Sequence, residues 1–417
     1  MKILLINTNR YRTPPVPPLG LEYLSDALRY TCHRCQILDL CFAEDPVETL
    51  KNAIRDFSPD IAGLTIRNID TVLFENNIFF LDEIKSYAAF LKGLGVPVIL
   101  GGAGYSFIPE GVLRYIGADY GIYGPGEKAL PYFLDLYDKN PPPPGTVLNG
   151  WEMGIDPDLE ISRENGIDHA RYVREGSLIG FETQKGCLER CSYCAEGRGR
   201  VLFKNPDRIV GELTGMVERG FDTYHLCDTE FNQDLDYCRA FLEAFIRRGT
   251  QIRWALYMKS APFSDDLFRL LERSGANLIT LSLPTGEKYL EHTREIRRLT
   301  RKYGIRMAVD YLCGLPGDTV ESIRKEVDAL REIGPDTVGV NSTIRLSPGI
   351  AVSKKALSSA EHRERLKGAI TDNPDLVRPV FYNHITADML REIIGDDPLF
   401  HIEGFERTSN YERLSEP

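Results

Sequence analysis

Cys187, Cys191 and Cys194 share one short run, Gln184-Lys185-Gly186-Cys187-Leu188-Glu189-Arg190-Cys191-Ser192-Tyr193-Cys194. Three thiolates at this Cx3Cx2C spacing hold three corners of a 4Fe-4S cluster and leave the fourth iron open, and an open iron can bind and activate a small molecule. The run follows a strand predicted over residues 178–183, so all three thiols project from one loop toward a common centre. Two plainer readings compete: a structural zinc site, or three buried free thiols. A closed zinc site wants a fourth ligand nearby, and the next cysteine is Cys227.

The aromatic Tyr193 directly before the third cysteine completes a pattern that resembles the radical S-adenosylmethionine superfamily. The resemblance implies that the open iron chelates the amino and carboxylate groups of S-adenosylmethionine, and that electron transfer cleaves the sulfonium to a 5'-deoxyadenosyl radical. By the same resemblance, Tyr193, Asp228, Glu230, Asn232, Ser282 and Leu315 are expected around S-adenosylmethionine. A carboxylate or amide at the Asp228-Thr229-Glu230-Phe231-Asn232 turn suits an ammonium group, although Asp228 or Asn232 can equally cap the following helix. Leu312-Cys313-Gly314-Leu315-Pro316-Gly317-Asp318-Thr319 resembles the superfamily's fifth-strand turn, in which apolar backbone packs on adenine and Asp318 or Thr319 caps the next helix.

The elements that must position these residues repeat a strand-helix rhythm. Around the cysteines, strands are predicted over 178–183, 223–227, 253–257, 278–283, 307–312 and 337–344, with helices over 207–219, 235–248, 265–274, up to Tyr303, and 319–333. Six such units are too few to close an eight-stranded barrel. The superfamily resemblance implies a partial (β/α)6 TIM barrel over residues 178–350, open on one side to a large substrate. Beyond it, residues 351–417 form a C-terminal extension bordering the active site; Tyr382 within it and Arg345 at the end of the sixth strand are expected to border the substrate, a structural role for Arg345 being the equal alternative.

Ahead of the cysteines, residues 1–138 alternate apolar runs (3–6, 35–38, 61–66, 96–100, 120–123) with segments of helical spacing such as Leu21, Leu24 and Leu28. That is the signature of a parallel doubly wound α/β sheet, whose ligands sit at the carboxyl ends of the strands. Those ends, together with Pro17-Pro18-Leu19-Gly20, Arg67-Asn68-Ile69-Asp70, Gly101-Gly102 and Gly124-Pro125-Gly126-Glu127, resemble the Rossmann-like cobalamin-binding domain of cobalamin-dependent radical enzymes. The resemblance assigns cobalamin to Asn9, Thr65, Arg67, Asn68, Gly101, Gly102, Gly104, Gly126 and Glu127. One departure is clear. The loop after the first strand reads Asn9-Arg10-Tyr11-Arg12-Thr13, without the histidine of base-off, His-on domains, so cobalt is expected to lack that ligand. Pro141 to Pro144 mark the start of a linker, residues 139–177, whose Trp151, Met153 and Ile155 must pack between the domains to escape water. Cys32 and Cys35 form a CxxC, but two ligands do not make a site, and Cys35 at the start of a buried strand reads as packing.

Composition narrows the partners. A formal charge of −11 and a pI near 5.3 disfavour nucleic acid, whose affinity comes chiefly from phosphate neutralisation. No run approaches the roughly 18 apolar residues of a membrane span, and nine cysteines in a chain without a secretion signal point to metal chemistry in the cytoplasm. Taken along its whole length the chain resembles methyltransferases that use a 4Fe-4S cluster, S-adenosylmethionine and cobalamin to methylate an unactivated carbon. Its compact length and acidity resemble the methanogen group acting on the Cα of a glutamine in the methyl-coenzyme M reductase alpha subunit, with a ferredoxin or flavodoxin as electron donor. Cyclisation or rearrangement of a small molecule on the same architecture, and a non-enzymatic iron-sulfur sensor, are the alternatives.

Overall fold

The computed structural model describes residues 1–196 and 199–405. Residues 406–417 of the C-terminal extension lie outside the described residues. The first apolar runs form β1 (Lys2–Asn7), β2 (Arg34–Asp39), β3 (Ile61–Thr65), β4 (Val98–Gly101), β5 (Tyr120–Tyr123) and β6 (Thr146–Asn149), all parallel in the order β2-β1-β3-β4-β5-β6. The two-residue period of a strand sorts the core. Leu4 and Ile6 of β1 join the cluster that includes Leu50, Leu81 and Leu91, whereas Ile3 and Leu5 join Leu21, Leu28 and Phe133 on the opposite face. The strand order reverses between β1 and β3, which opens a crevice at the carboxyl ends of these strands.

β6 falls inside the stretch read from sequence as linker. The prolines cross over to it: Tyr120 donates to the carbonyl of Pro142, and Gly145 N–H to that of Asp119, before Thr146-Val147-Leu148 pairs with β5. Proline cannot join a sheet interior, but it can carry the chain from one layer to the next.

The second half contains β7 (Ile179–Phe181), β8 (Gln184–Cys187), β9 (Arg200–Phe203), β10 (Thr223–Leu226), β11 (Arg253–Lys259), β12 (Ala276–Pro284), β13 (Arg306–Leu312) and β14 (Thr337–Asn341). It closes with β15 (Ile344–Arg345), β16 (Leu366–Lys367), β17 (Phe381–Tyr382) and β18 (Phe400–Glu403). The main sheet is parallel, in the order β18-β14-β13-β12-β11-β10-β7, and open between β7 and β18. The six strands expected from sequence are joined by a seventh. β18 comes from the C-terminal extension, and its Phe400-His401-Ile402-Glu403 is too short to announce itself before the body of the sheet is present to pair with it.

Two devices hold the halves together. Trp151 lies against two glycines, one from each half: a β-carbon on Gly124 would sit 2.5 Å from the indole, and one on Gly186 would sit 2.9 Å away. The second device is a buried charge cluster. Arg163 donates to Glu22 at 2.6 Å, lies 3.5 Å from Glu212 and donates to the carbonyl of Gly180, while His169 contacts Glu22 at 2.8 Å and Tyr23 donates to Glu212 at 3.0 Å. Arg163, Glu22 and Glu212 are all buried. Burial pushes the Glu22 carboxyl up, but Arg163 and His169 outweigh it and hold that group down at about 2. Burial wins at Glu212, farther from the guanidinium, and lifts it to about 7.

Arg163→Met leaves two buried carboxylates without their cation, and the expected loss is about 3–5 kcal/mol in urea unfolding; an unchanged midpoint would mean the cluster is held by something else. Because Glu22 is depressed from about 4.5, its contribution is complete above that value and is lost as pH falls toward 2, so acid unfolding of the variant is expected to lack that component.

Candidate active site

The thiol loop is presented on an antiparallel hairpin rather than directly on a barrel strand. Cys187 ends β8 opposite Arg200 of β9, and Cys191 and Cys194 follow in a turn closed by Cys194 N–H on the carbonyl of Cys191. Backbone and side-chain donors surround the sulfurs. Glu189 N–H and Gln233 Nε2 point at Cys187 Sγ at 3.4 and 3.1 Å, and Glu196 N–H at Cys194 Sγ at 3.4 Å. Gln233 also accepts from Leu188 N–H and is reached by Lys259, whose Nζ binds Glu189 at 2.7 Å. Sequence reasoning missed Gln233, since a glutamine two positions before a helix carries no signal of its own.

Burial raises the thiols of Cys187 and Cys191, and lifts Cys194 to about 12, so metal must displace protons as it binds. Three thiols are one short of the four ligands of a closed zinc site and match the three protein-held corners of a 4Fe-4S cluster. The donor set suits separate irons of a cluster.

The residues expected around S-adenosylmethionine divide in two. Asp228 is buried at the start of the hairpin, where it accepts from Thr183 N–H at 2.8 Å, from Gln184 N–H at 3.3 Å and from the Thr183 hydroxyl; burial lifts it to about 7. Asn232 spans the end of β11, accepting from Lys259 N–H and donating to the carbonyls of Lys259 and Pro262. Neither caps the next helix; Asp234 does.

Glu230 is placed differently. Its carboxyl lies beside Ser282 and near Cys191, Tyr193, Lys259 and Asp310, and its Oε2 is buried with no hydrogen-bond partner. Burial pushes this group up to about 8 against the pull of Ser282 and Lys259. A buried carboxyl oxygen without a protein partner beside the thiols suits a cationic group. Tyr193 and Leu315 pack against the cluster formed by Ile344, Leu346, Val352 and Tyr382, so the C-terminal extension closes over the loop. Thr319, in a capping box with Ser322, starts the helix after the Gly317 turn, while Asp318 accepts from Leu315 N–H.

The cobalamin-side residues gather at the carboxyl edge of the first sheet. Gly102 has φ +103, and a β-carbon there would lie 2.5 Å from the carbonyl of Ile66; at Gly104 it would meet Arg67 and Asn68 backbone at 3.0 Å. These glycines therefore draw the β4 turn onto the Thr65–Asn68 loop, where Thr8 donates to the carbonyl of Thr65. Gly101 is looser, with only the carbonyl of Ile122 within 4 Å. Gly126 fits under Leu24, and Glu127 reaches across the domains to Lys185 at 2.8 Å; although burial opposes it, Lys185 with Lys204 holds that carboxyl below its ordinary value. Asn9 turns back on Asn7. Arg10 pairs with Glu83, and Arg12 donates to the carbonyl of Cys41, so the loop without histidine is fixed in place.

Across the crevice, Tyr224 and Leu226 of β10 face the barrel core, which turns His225 and Cys227 to the other side. Cys227 is exposed by surface area, yet burial pushes its thiol to about 12 and Arg67 acts on it through space. The Cys227 thiol lies against Gly180, where a β-carbon would come 2.8 Å from the sulfur, and it donates to the carbonyl of His225. His225 is likewise held down to about 4 by burial and by Arg67.

The two residues expected to border the substrate are occupied. Arg345 donates to Asp70 and to the carbonyls of Leu346, Leu376 and Val377, which makes it a tie between the loop after β3 and the C-terminal extension. Tyr382 is buried and meets His362 at 3.1 Å; His384, next to it, spans the carbonyls of Gly314 and Asp318.

Residues 9–134 match the B12 binding domain family, and residues 181–330 the Radical SAM superfamily. Tryptophan 2-C-methyltransferase of Streptomyces laurentii is 25% identical over 89% of this chain and 77% of its own length. Cytidylyl-2-hydroxyethylphosphonate methyltransferase of Streptomyces wedmorensis is 22% identical over 80% of this chain and 77% of its own. The solved structure of the radical S-adenosylmethionine methyltransferase TsrM from Kitasatospora setae, with cobalamin and a 4Fe-4S cluster bound, shares the fold at a TM-score of 0.85 and 23% identity, covering 96% of this chain and 93% of that one.

Replacing Cys187, Cys191 or Cys194 by alanine is expected to remove the iron, about four atoms per chain, from anaerobically reconstituted protein. Gln233→Leu should keep the iron but lower the cluster's reduction potential, because a donor to a ligand sulfur favours the reduced form. A redox titration followed by electron paramagnetic resonance reads the shift.

Proposed function

We propose that this chain, a B12-binding domain followed by a radical S-adenosylmethionine domain, transfers the methyl group of S-adenosylmethionine by way of cobalamin to a carbon atom of its substrate. One observation carries the reading. Glu230 holds a buried carboxyl oxygen without a protein partner beside the thiol loop, while Gly102 and Gly104 draw the β4 turn onto the Thr65–Asn68 backbone at the carboxyl edge of the first sheet.

Bound there, the cluster, S-adenosylmethionine and cobalamin supply the bond-breaking and methyl-carrying chemistry. The chain's residues do the rest. The three cysteines hold iron, Glu230 offers an oxygen to the amino group of S-adenosylmethionine, and Ser282 steadies Glu230. Arg67 would place a cation beside cobalamin held at the carboxyl edge of the first sheet, and the fixed loop of Asn9 to Thr13 would bring no imidazole to it.

For the acceptor we infer the Cα of a glutamine in a peptide of methyl-coenzyme M reductase, on the strength of length and acidity. A peptide Cα radical is stabilised by its flanking amide nitrogen and carbonyl, and the segment must be extended to enter. The similarity to a tryptophan methyltransferase over most of the chain favours a second acceptor, an indole carbon.

Incubation of loaded enzyme with S-adenosylmethionine and either the glutamine peptide or tryptophan separates these. Methylated peptide, with deuterium passing from its Cα to 5'-deoxyadenosine, is the expected result; methylated tryptophan transfers the assignment to the indole. S-adenosylmethionine cleavage with no methylated product from either compound or from cell extract, but a cyclised or rearranged one, would remove the methyltransferase reading.

A further inference from the structure

Far along the first sheet from the thiol loop, three side chains of different chemistry converge. Cys32 and His33 lie in the turn before β2, Asp135 lies on the helix Ala129–Lys139, and their donor atoms are all within 4.8 Å of one another. His33 is buried, and its Nε2 stands 3.1 Å from Asp135 Oδ1, while its Nδ1 lies 3.3 Å from the amino group of Met1. The backbone around it is fixed: His33 N–H donates to Thr31 Oγ1, and Thr31 Oγ1 donates to the carbonyl of Leu28. Cys32 and Asp135 are exposed, so the cluster opens to solvent on one side.

We propose that Cys32, His33 and Asp135 form a divalent metal site for zinc, separate from the cluster-binding cysteines. The geometry is nearly in place. A nitrogen and an oxygen each about 2.0–2.1 Å from a tetrahedral zinc are about 3.3 Å apart, against 3.1 Å between His33 and Asp135, so a small opening admits the ion. A mixed thiolate, imidazole and carboxylate set matches borderline-soft zinc better than the hard cations that prefer oxygen alone. On binding, the thiol gives up its proton, Nε2 presents its lone pair, and water takes the fourth position on the open side. His33 Nδ1 faces the Met1 amino group, so coordination through Nε2 requires that amine to release a proton and accept from Nδ1–H. Cys35, the other cysteine of the CxxC, is not one of the three; its thiol contacts Ser25 instead, and burial pushes it to about 12. The pairing that matters is thus Cys32 with its neighbour His33 and a residue some hundred positions away, a set that cysteine spacing does not reveal.

The site is tested on iron- and cobalamin-loaded full-length protein, whose cluster thiols are already taken. The protein is equilibrated with zinc chloride, desalted, and measured for metal content and zinc-edge X-ray absorption, which neither iron nor cobalt obscures. About one zinc per chain is expected, with one sulfur near 2.3 Å and nitrogen or oxygen near 2.0 Å. Cys32→Ser should remove the sulfur neighbour, and Cys32→Ser and Asp135→Asn should each weaken zinc retention by at least tenfold, with iron content unchanged. Both replacements are at exposed positions, so the fold is retained. Zinc with two or more sulfur neighbours, retention indifferent to both substitutions, or no zinc held by the wild-type chain would each overturn the assignment.

Discussion

A guanidinium sealed from water fixes how the two sheets face each other. Charge in a low-dielectric interior is costly unless every partner is in place, so Arg163 tolerates one arrangement of Glu22 from the first sheet's leading helix and Glu212 from the barrel's first helix. Asp26 reinforces the same seam by accepting from the backbone N–H groups of Ser162 and Arg163. Two bodies tied at such a point cannot slide without exposing carboxylates to a medium that will not solvate them.

Within the barrel, the polar turn after β10 divides its labour. Asp228 braces the root of the cysteine hairpin and Asn232 braces the end of β11, which leaves Glu230 between them with an oxygen unclaimed by protein. Gln233 completes the frame by linking sulfur, loop backbone and Lys259. A site that must hold a reactive centre gains most from such supports, because orientation is set before anything binds.

Much of this was legible in the sequence. Tyr120–Tyr123 and Leu235–Arg248 were readable to the residue, since β-branched and aromatic runs and an Asp-led amphipathic helix are local signals. The cysteine spacing pointed to the cluster for the same reason. What sequence could not supply was anything decided by distant partners: β6 beyond the prolines, β18 joining from the C-terminal extension, and the partners of Arg345, whose guanidinium meets Asp70 and three carbonyls. Glu230 stood out from Asp228 and Asn232 only when their partners were known.

Trp151 has a consequence for how such proteins can be rebuilt. Its indole rests on Gly124 from one half and Gly186 from the other, and Arg200 lies over its face. The halves are therefore not interchangeable modules, because a chimera joining either to a counterpart from a relative must carry the indole and both glycines across the splice together. Any relative that fills one glycine has to have reshaped the wedge, and its halves will be strangers to these.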